Sequence, residues 1–113
     1  MTGLATGPLI DRLALACRVG QGQIGAKRVR SGLWNARIDV PAQPAVNQLL
    51  RRLTPAEREV LAQMLAQEFV GGVHETLVVL YEAQVEPFQD GYEGTPFHDF
   101  VGRLDDWPWP SER

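Results

Sequence analysis

Cysteine occurs once in this chain, at Cys17, so no internal disulfide can form and no multi-thiolate metal site can be built within one copy. Histidine occurs only twice, at His74 and His98. No apolar run approaches the length needed to cross a bilayer, which argues against a membrane span. The opening MTGLATGPLIDRLALACRVG lacks the basic stretch and cleavage site of a secretory signal, so a cytoplasmic protein is expected. Runs of β-branched residues bounded by turns are nearly absent, which removes the usual sign of a sheet.

What remains is ordinary globular material. The 113 residues are 44% hydrophobic and 22% charged, enough for one domain around a single core. The net charge of -3 is unevenly spread. Residues 1–53 hold eight Lys and Arg against two acidic residues, and residues 54–113 hold three against twelve. Opposite halves of this kind attract each other, the opposite half of a second copy, or another protein. With a pI near 5.3, the basic stretch 27–37, which carries Lys27, Arg28, Arg30 and Arg37 beside Trp34, is a poor match to a dedicated nucleic-acid binder.

The apolar spacing is helical throughout. PLIDRLALACRV places Leu9, Leu13 and Cys17 four apart, and IGAKRVRSGLW reads as a short basic helix ending on Trp34. DVPAQP is a loop, and AVNQLLRRL is a short helix with Val46, Leu49, Leu50 and Leu53 on one side. The strongest local signal is TPAEREVLAQMLAQEFV: Thr54 as N-cap, Pro55 at the first helical position and Glu57 completing a capping box. Beyond Gly71-Gly72, VHETLVVLYEAQVE continues in helical register, but Leu61, Met64, Leu65 and Phe69 project to one side and Val73, Leu77, Leu80 and Tyr81 to another. A kink or break at the glycines would reconcile the two. Thr95-Pro96 then opens a last helix with Phe97, Phe100, Val101 and Leu104 as its stripe and an Asp99–Arg103 pair. DWPWP, within residues 105–113, forms an extended tail. The expected fold is all-α: a single domain over 1–113, a compact bundle of four to six helices with a Gly-Gly kink or break in the central one.

RVGQGQIGAKR contains G-x-G-x-x-G at Gly20, Gly22 and Gly25. A dinucleotide fingerprint needs a preceding strand and an acidic residue about twenty positions on. Here the preceding segment is helical, and Asp39 stands only fourteen residues after Gly25. A phosphate loop needs Lys directly after the last glycine, then Ser or Thr; Ala26-Lys27-Arg28 does not fit. A flexible inter-helix loop is the favoured reading, with an anion site at Lys27, Arg28 and Arg30 as the alternative.

Glu68 and His74 are polar residues at positions where the projection expects apolar ones. A carboxylate turned toward a core needs a cationic or donor partner, and Arg28 or His74 could supply it. The favoured reading is a structural pair; the alternative is an acid/base or ligand pocket near Gly71-Gly72 built from Glu68, His74, His98 and Arg28. His74-Glu75 and His98-Asp99 do not match H-E-x-x-H, because Val78 stands where the second histidine would be, so no metal and no cofactor is assigned. Trp34, Trp107 and Trp109 are candidates for packing or for interaction.

EFVGGVHETLVVLYE and GTPFHDFVGRLDDWPWP resemble a family of small uncharacterised bacterial proteins, with a capped helix before a Gly-Gly-aliphatic-His-acid segment and an acidic, Trp-containing C-terminus. The resemblance runs from about Gly25 to Trp109 and leaves out the Gly20–Gly25 glycines. It implies a helical fold and no particular activity. The functional expectation is therefore a non-enzymatic interaction or regulatory module that pairs with itself as a homodimer or with another protein. The alternative is a small-ligand binder or enzyme using the pocket near Gly71-Gly72.

Overall fold

The computed structural model describes residues 5–34, 43–85 and 91–110. Among them are five helices and no strand: α1 (Thr6–Val19), α2 (Gln21–Ser31), α3 (Gln43–Arg52), α4 (Pro55–Glu82) and α5 (Pro96–Leu104). The chain is all-α. Arg37 and most of the DVPAQP loop lie outside the described residues.

Local chemistry sets the helix ends. The Glu57 backbone N–H donates to Thr54 Oγ1 at 3.1 Å, and the Thr54 N–H donates to Glu57 Oε1 at 2.8 Å. This capping box satisfies two otherwise orphaned donors at the start of α4. Those hydrogen bonds hold the Glu57 carboxyl below its usual range, so their contribution is complete above the ordinary carboxylate pKa and fades as pH falls through the lowered one. At the other end of α2, Gly32 takes φ of 82° and its N–H reaches Val29 O, a left-handed stop that favours glycine.

Of the kink or break expected at Gly71-Gly72, the break does not occur: α4 runs unbroken from Pro55 to Glu82. Glycine in a helix costs about 1 kcal/mol against alanine, which packed turns on either side can outweigh. Leu61, Ala62 and Leu65 pack with Ala26, Val29 and Leu50 of α2 and α3. Phe69, Val70, Val73, Leu77 and Leu80 pack with Ile10, Ala14, Cys17 and Phe100 of α1 and α5. The helix thus does what the break was meant to avoid: it changes partners along its length. At about 100° per residue, the buried side turns by about a quarter turn. The sharper reversal read from sequence depended on Met64 and Tyr81, which are 55% and 43% exposed.

Two buried clusters therefore replace the single core expected, strung along a helix about 42 Å long at 1.5 Å per residue. The radius of gyration is 17.6 Å and the extents are 51 × 31 × 24 Å, against about 13 Å for a spherical domain of this length. The bundle is drawn out along α4, and its ends differ in charge. Lys27, Arg28, Arg30, Arg51, Arg52 and Arg58 outnumber Glu57 and Glu59 at the end built from α2, α3 and the first half of α4. Acidic residues outnumber basic ones over the rest, where Asp11, Glu75, Glu82, Glu93, Asp99, Asp105 and Asp106 stand against Arg12, Arg18 and Arg103 on α1, α5 and the second half of α4, with Asp106 paired to Arg18 and Asp11 to Arg103.

Candidate functional site

The glycine motif of residues 20–25 is helix, not loop. α1 ends at Val19, Gly20 alone makes the corner, and α2 begins at Gln21. A Cβ at Gly22 would lie 2.6 Å from Cys17 O, 2.7 Å from Cys17 Cα and 2.9 Å from Phe69 Cδ1. Gly22 lets α1, α2 and α4 meet, which is a packing requirement. A Cβ at Gly25 would lie 3.3 Å from Trp34 Cη2, whose ring folds back over α2 after the helix has ended. The first turn of α2 is closed by the end of α1: the Gln23 N–H donates to Gly20 O at 3.0 Å, and Gln23 Nε2 donates to Cys17 O at 3.0 Å. Burial of Cys17 pushes its thiol pKa up, away from the reactive thiolate.

The three cations proposed for an anion site do not converge. Arg28 and Arg30 sit in the last turn of α2, where the helix dipole favours cations and not their counter-ions. Arg30 is engaged by Glu59, at 2.7 Å through Nε and 3.1 Å through Nη2, which raises the guanidinium pKa and lowers the carboxyl pKa. The Arg28 guanidinium lies 5.6 Å from the centroid of the Trp34 ring, and Lys27 is exposed.

The four residues of the sequence-derived pocket separate into two places. On an unbroken helix, Glu68 and His74 are about 9 Å apart along the axis and about 120° apart around it, so the two cannot form the expected pair. Glu68 is exposed and shares with Arg28, Gly25, Trp34 and Phe69 the wall of a groove of about 340 Å3 between α2 and α4. His74 lies edge-on to Phe97 at 5.6 Å between centroids, and His98 packs on the same ring at 4.8 Å. Phe97, read from sequence as part of the apolar stripe of the last helix, is thus also a hub for the two histidines, reached by Tyr81 as well at 5.8 Å. Among the described residues, no group of three His, Cys, Asp or Glu side chains could hold a metal ion.

The larger groove, about 490 Å3, runs between α1 and α4. Leu9 and Leu13 form one wall, Phe69, Val73, Leu77 and Leu80 the other, with Gly72 between them and Glu68 at the end. Thr76 Oγ1 donates to Gly72 O at 2.8 Å. A Cβ at Gly72 would meet nothing within 4 Å, and the same holds for Gly71. Neither glycine is required by the packing of this chain. Gly72 opens on the groove, and Gly71, about 100° round the helix, opens beside it on another face.

The tryptophans also divide. Trp109 Nε1 donates to Asp11 Oδ2 at 2.9 Å, and its ring lies against Arg103 at 5.2 Å and edge-on to Tyr92 at 6.4 Å. Arg103 pairs with Asp11 at 2.7 Å and not with Asp99, which accepts from the Tyr92 hydroxyl. Arg18 donates to the Arg103 and Leu104 carbonyls and pairs with Asp106 at 2.9 Å, placing a cation at the C-terminus of α5. This clamp folds the tail onto α1 and makes Trp109 a structural anchor. Trp107 lies over Gly102, where an added Cβ would come within 2.7 Å of its ring, and is 65% exposed.

A family model matches residues 7–111, nearly the whole of this arrangement. The chain belongs to DUF6547, a family of unknown function. The match takes in Gly20, Gly22 and Gly25, which the resemblance read from sequence had left out. No curated protein and no solved structure matches the chain. Among the described residues, no helix is long and apolar enough to cross a membrane.

Proposed function

We propose that this DUF6547 chain is a non-enzymatic interaction module that works by associating with a second copy of itself. The observation that carries the reading is the charge polarity of an elongated body: a basic end around α2 and α3 and an acidic end around α5. Two such bodies laid head to tail bring unlike ends together twice, a self-complementary arrangement of the kind a two-fold dimer requires. Sedimentation equilibrium at about 50 mM and about 500 mM salt tests it, because screening over about 10 Å or less weakens attraction between exposed charges. A dimer at low salt that loosens at high salt is expected. A monomer at both salts, up to millimolar protein, would reject the reading.

The α1–α4 groove favours a second reading, the binding of a small apolar ligand. Its volume of about 490 Å3 lies in the usual range for ligand pockets, and Gly72 holds it open at no benefit to the chain's own packing. The neutral fluorescent probe N-phenyl-1-naphthylamine is expected to bind at one saturable site and to lose it in Gly72→Phe. Absent binding, or equal binding in the variant, rules this reading out.

A further inference from the structure

The self-association proposed above needs a surface, and this inference rests on that reading. On α4, Val60, Met64, Gln67, Gly71, His74 and Val78 recur at alternating intervals of four and three, on a side away from the buried Ala62 and Leu77 and flanked in its second half by α5, where His74 and Tyr81 touch the Phe97 ring. Tyr81 continues the series. That is the spacing by which one helix presents a continuous seam to another. The seam is open to solvent over its first half, where Val60 and Met64 are 60% and 55% exposed. Gly71 lies near the middle of the helix, and the chain's own packing gives no reason for it: an added Cβ meets open space. A glycine there lets a second helix approach closely. The charge polarity then fixes the orientation. Parallel helices would set basic end against basic end, whereas antiparallel helices set the α2–α3 end of one copy beside the α5 end of the other.

We infer that α4 pairs antiparallel with α4 of a second copy, the two helices crossing near Gly71, with Val60 and Met64 of one copy alongside Val78 and Tyr81 of the other. Mutation of the full chain, read by sedimentation equilibrium and thermal melting, tests this. Gly71→Leu blocks the close crossing but places its side chain in open space on the monomer. It is expected to raise the dimer dissociation constant by about thirtyfold or more, with Tm of the dilute protein retained or raised. Met64→Asp should weaken the dimer similarly, whereas Val79→Asp, exposed on α4 but about a quarter turn off the seam, should leave it intact. Dimers that survive both Gly71→Leu and Met64→Asp, or that Val79→Asp disrupts equally, would overturn the surface while leaving self-association standing. A wild-type chain that is monomeric throughout would overturn both.

Discussion

Alanine at Gly22 is expected to lower stability by about 2 kcal/mol, whereas alanine at Gly71 or Gly72 raises it by about 1 kcal/mol. The three glycines stand in helices, and their local propensity cost is similar. They differ in what a new methyl group meets. At Gly22 it runs into the backbone of Cys17, O at 2.6 Å and Cα at 2.7 Å, so the corner between α1 and α2 must open, and the Phe69 ring must move as well. Relief of helix propensity offsets only part of that overpacking. At Gly71 and Gly72 the methyl meets nothing within 4 Å, and the propensity gain stands alone. Denaturant melts at low micromolar protein, where association adds least, measure all three. Stabilisation by Gly22→Ala would show that α1 and α2 are not this close. A loss at Gly71 or Gly72 would show that the monomer itself needs those glycines.

Phe100→Ala should cost about 3–5 kcal/mol, the largest loss expected from a single side chain here. Its ring is fully buried and joins α5 to Ile10, Ala14 and Cys17 of α1 and Leu77 of α4. α5 has nine residues, too few to hold a helix without tertiary contacts. Removing the ring leaves a cavity where three helices meet, and the Arg18 and Asp11 contacts, confined to the C-terminal end of α5 and exposed or half-buried, cannot compensate. Val101→Ala, one residue along and 42% exposed, is expected to change stability by less than about 0.5 kcal/mol. Urea unfolding of the two variants checks the contrast; a Phe100→Ala loss below about 1 kcal/mol would contradict the packing described.

Much of the fold is legible in local sequence because helix chemistry is local. Thr54, Pro55 and Glu57 announce the start of α4 within four residues, and the apolar spacing of each segment returns its helix. The readings that failed depended on distant partners. Nothing near Gly22 indicates that Phe69 will pack on it, so three glycines in six residues look like a loop. Asp11 is separated by 92 positions from Arg103 and 98 from Trp109, and no spacing rule joins them, so the local Asp99–Arg103 pair was expected in their place. Glu68 and His74 seemed buried because a uniform projection assigns α4 one face per segment. The helix turns its buried side gradually, which leaves Glu68 exposed and His74 at the edge of the Phe97 ring. The charge halves were readable from composition, but that they form the two ends of an elongated body followed only once α2 and α3 were placed on one half of α4.

One distance decides whether α4 pairs antiparallel with a second copy. Ala56 is exposed near the start of α4, and Cys17 is buried, so a nitroxide can be attached selectively to an Ala56→Cys variant. Pulsed electron–electron resonance then measures the separation between the labels of two copies at low salt. With the helices crossing near Gly71, labels at position 56 should lie about 45 Å apart at 1.5 Å per residue. A separation of about 10–20 Å would mean parallel helices, and no inter-label coupling would mean no dimer; either result excludes the antiparallel dimer.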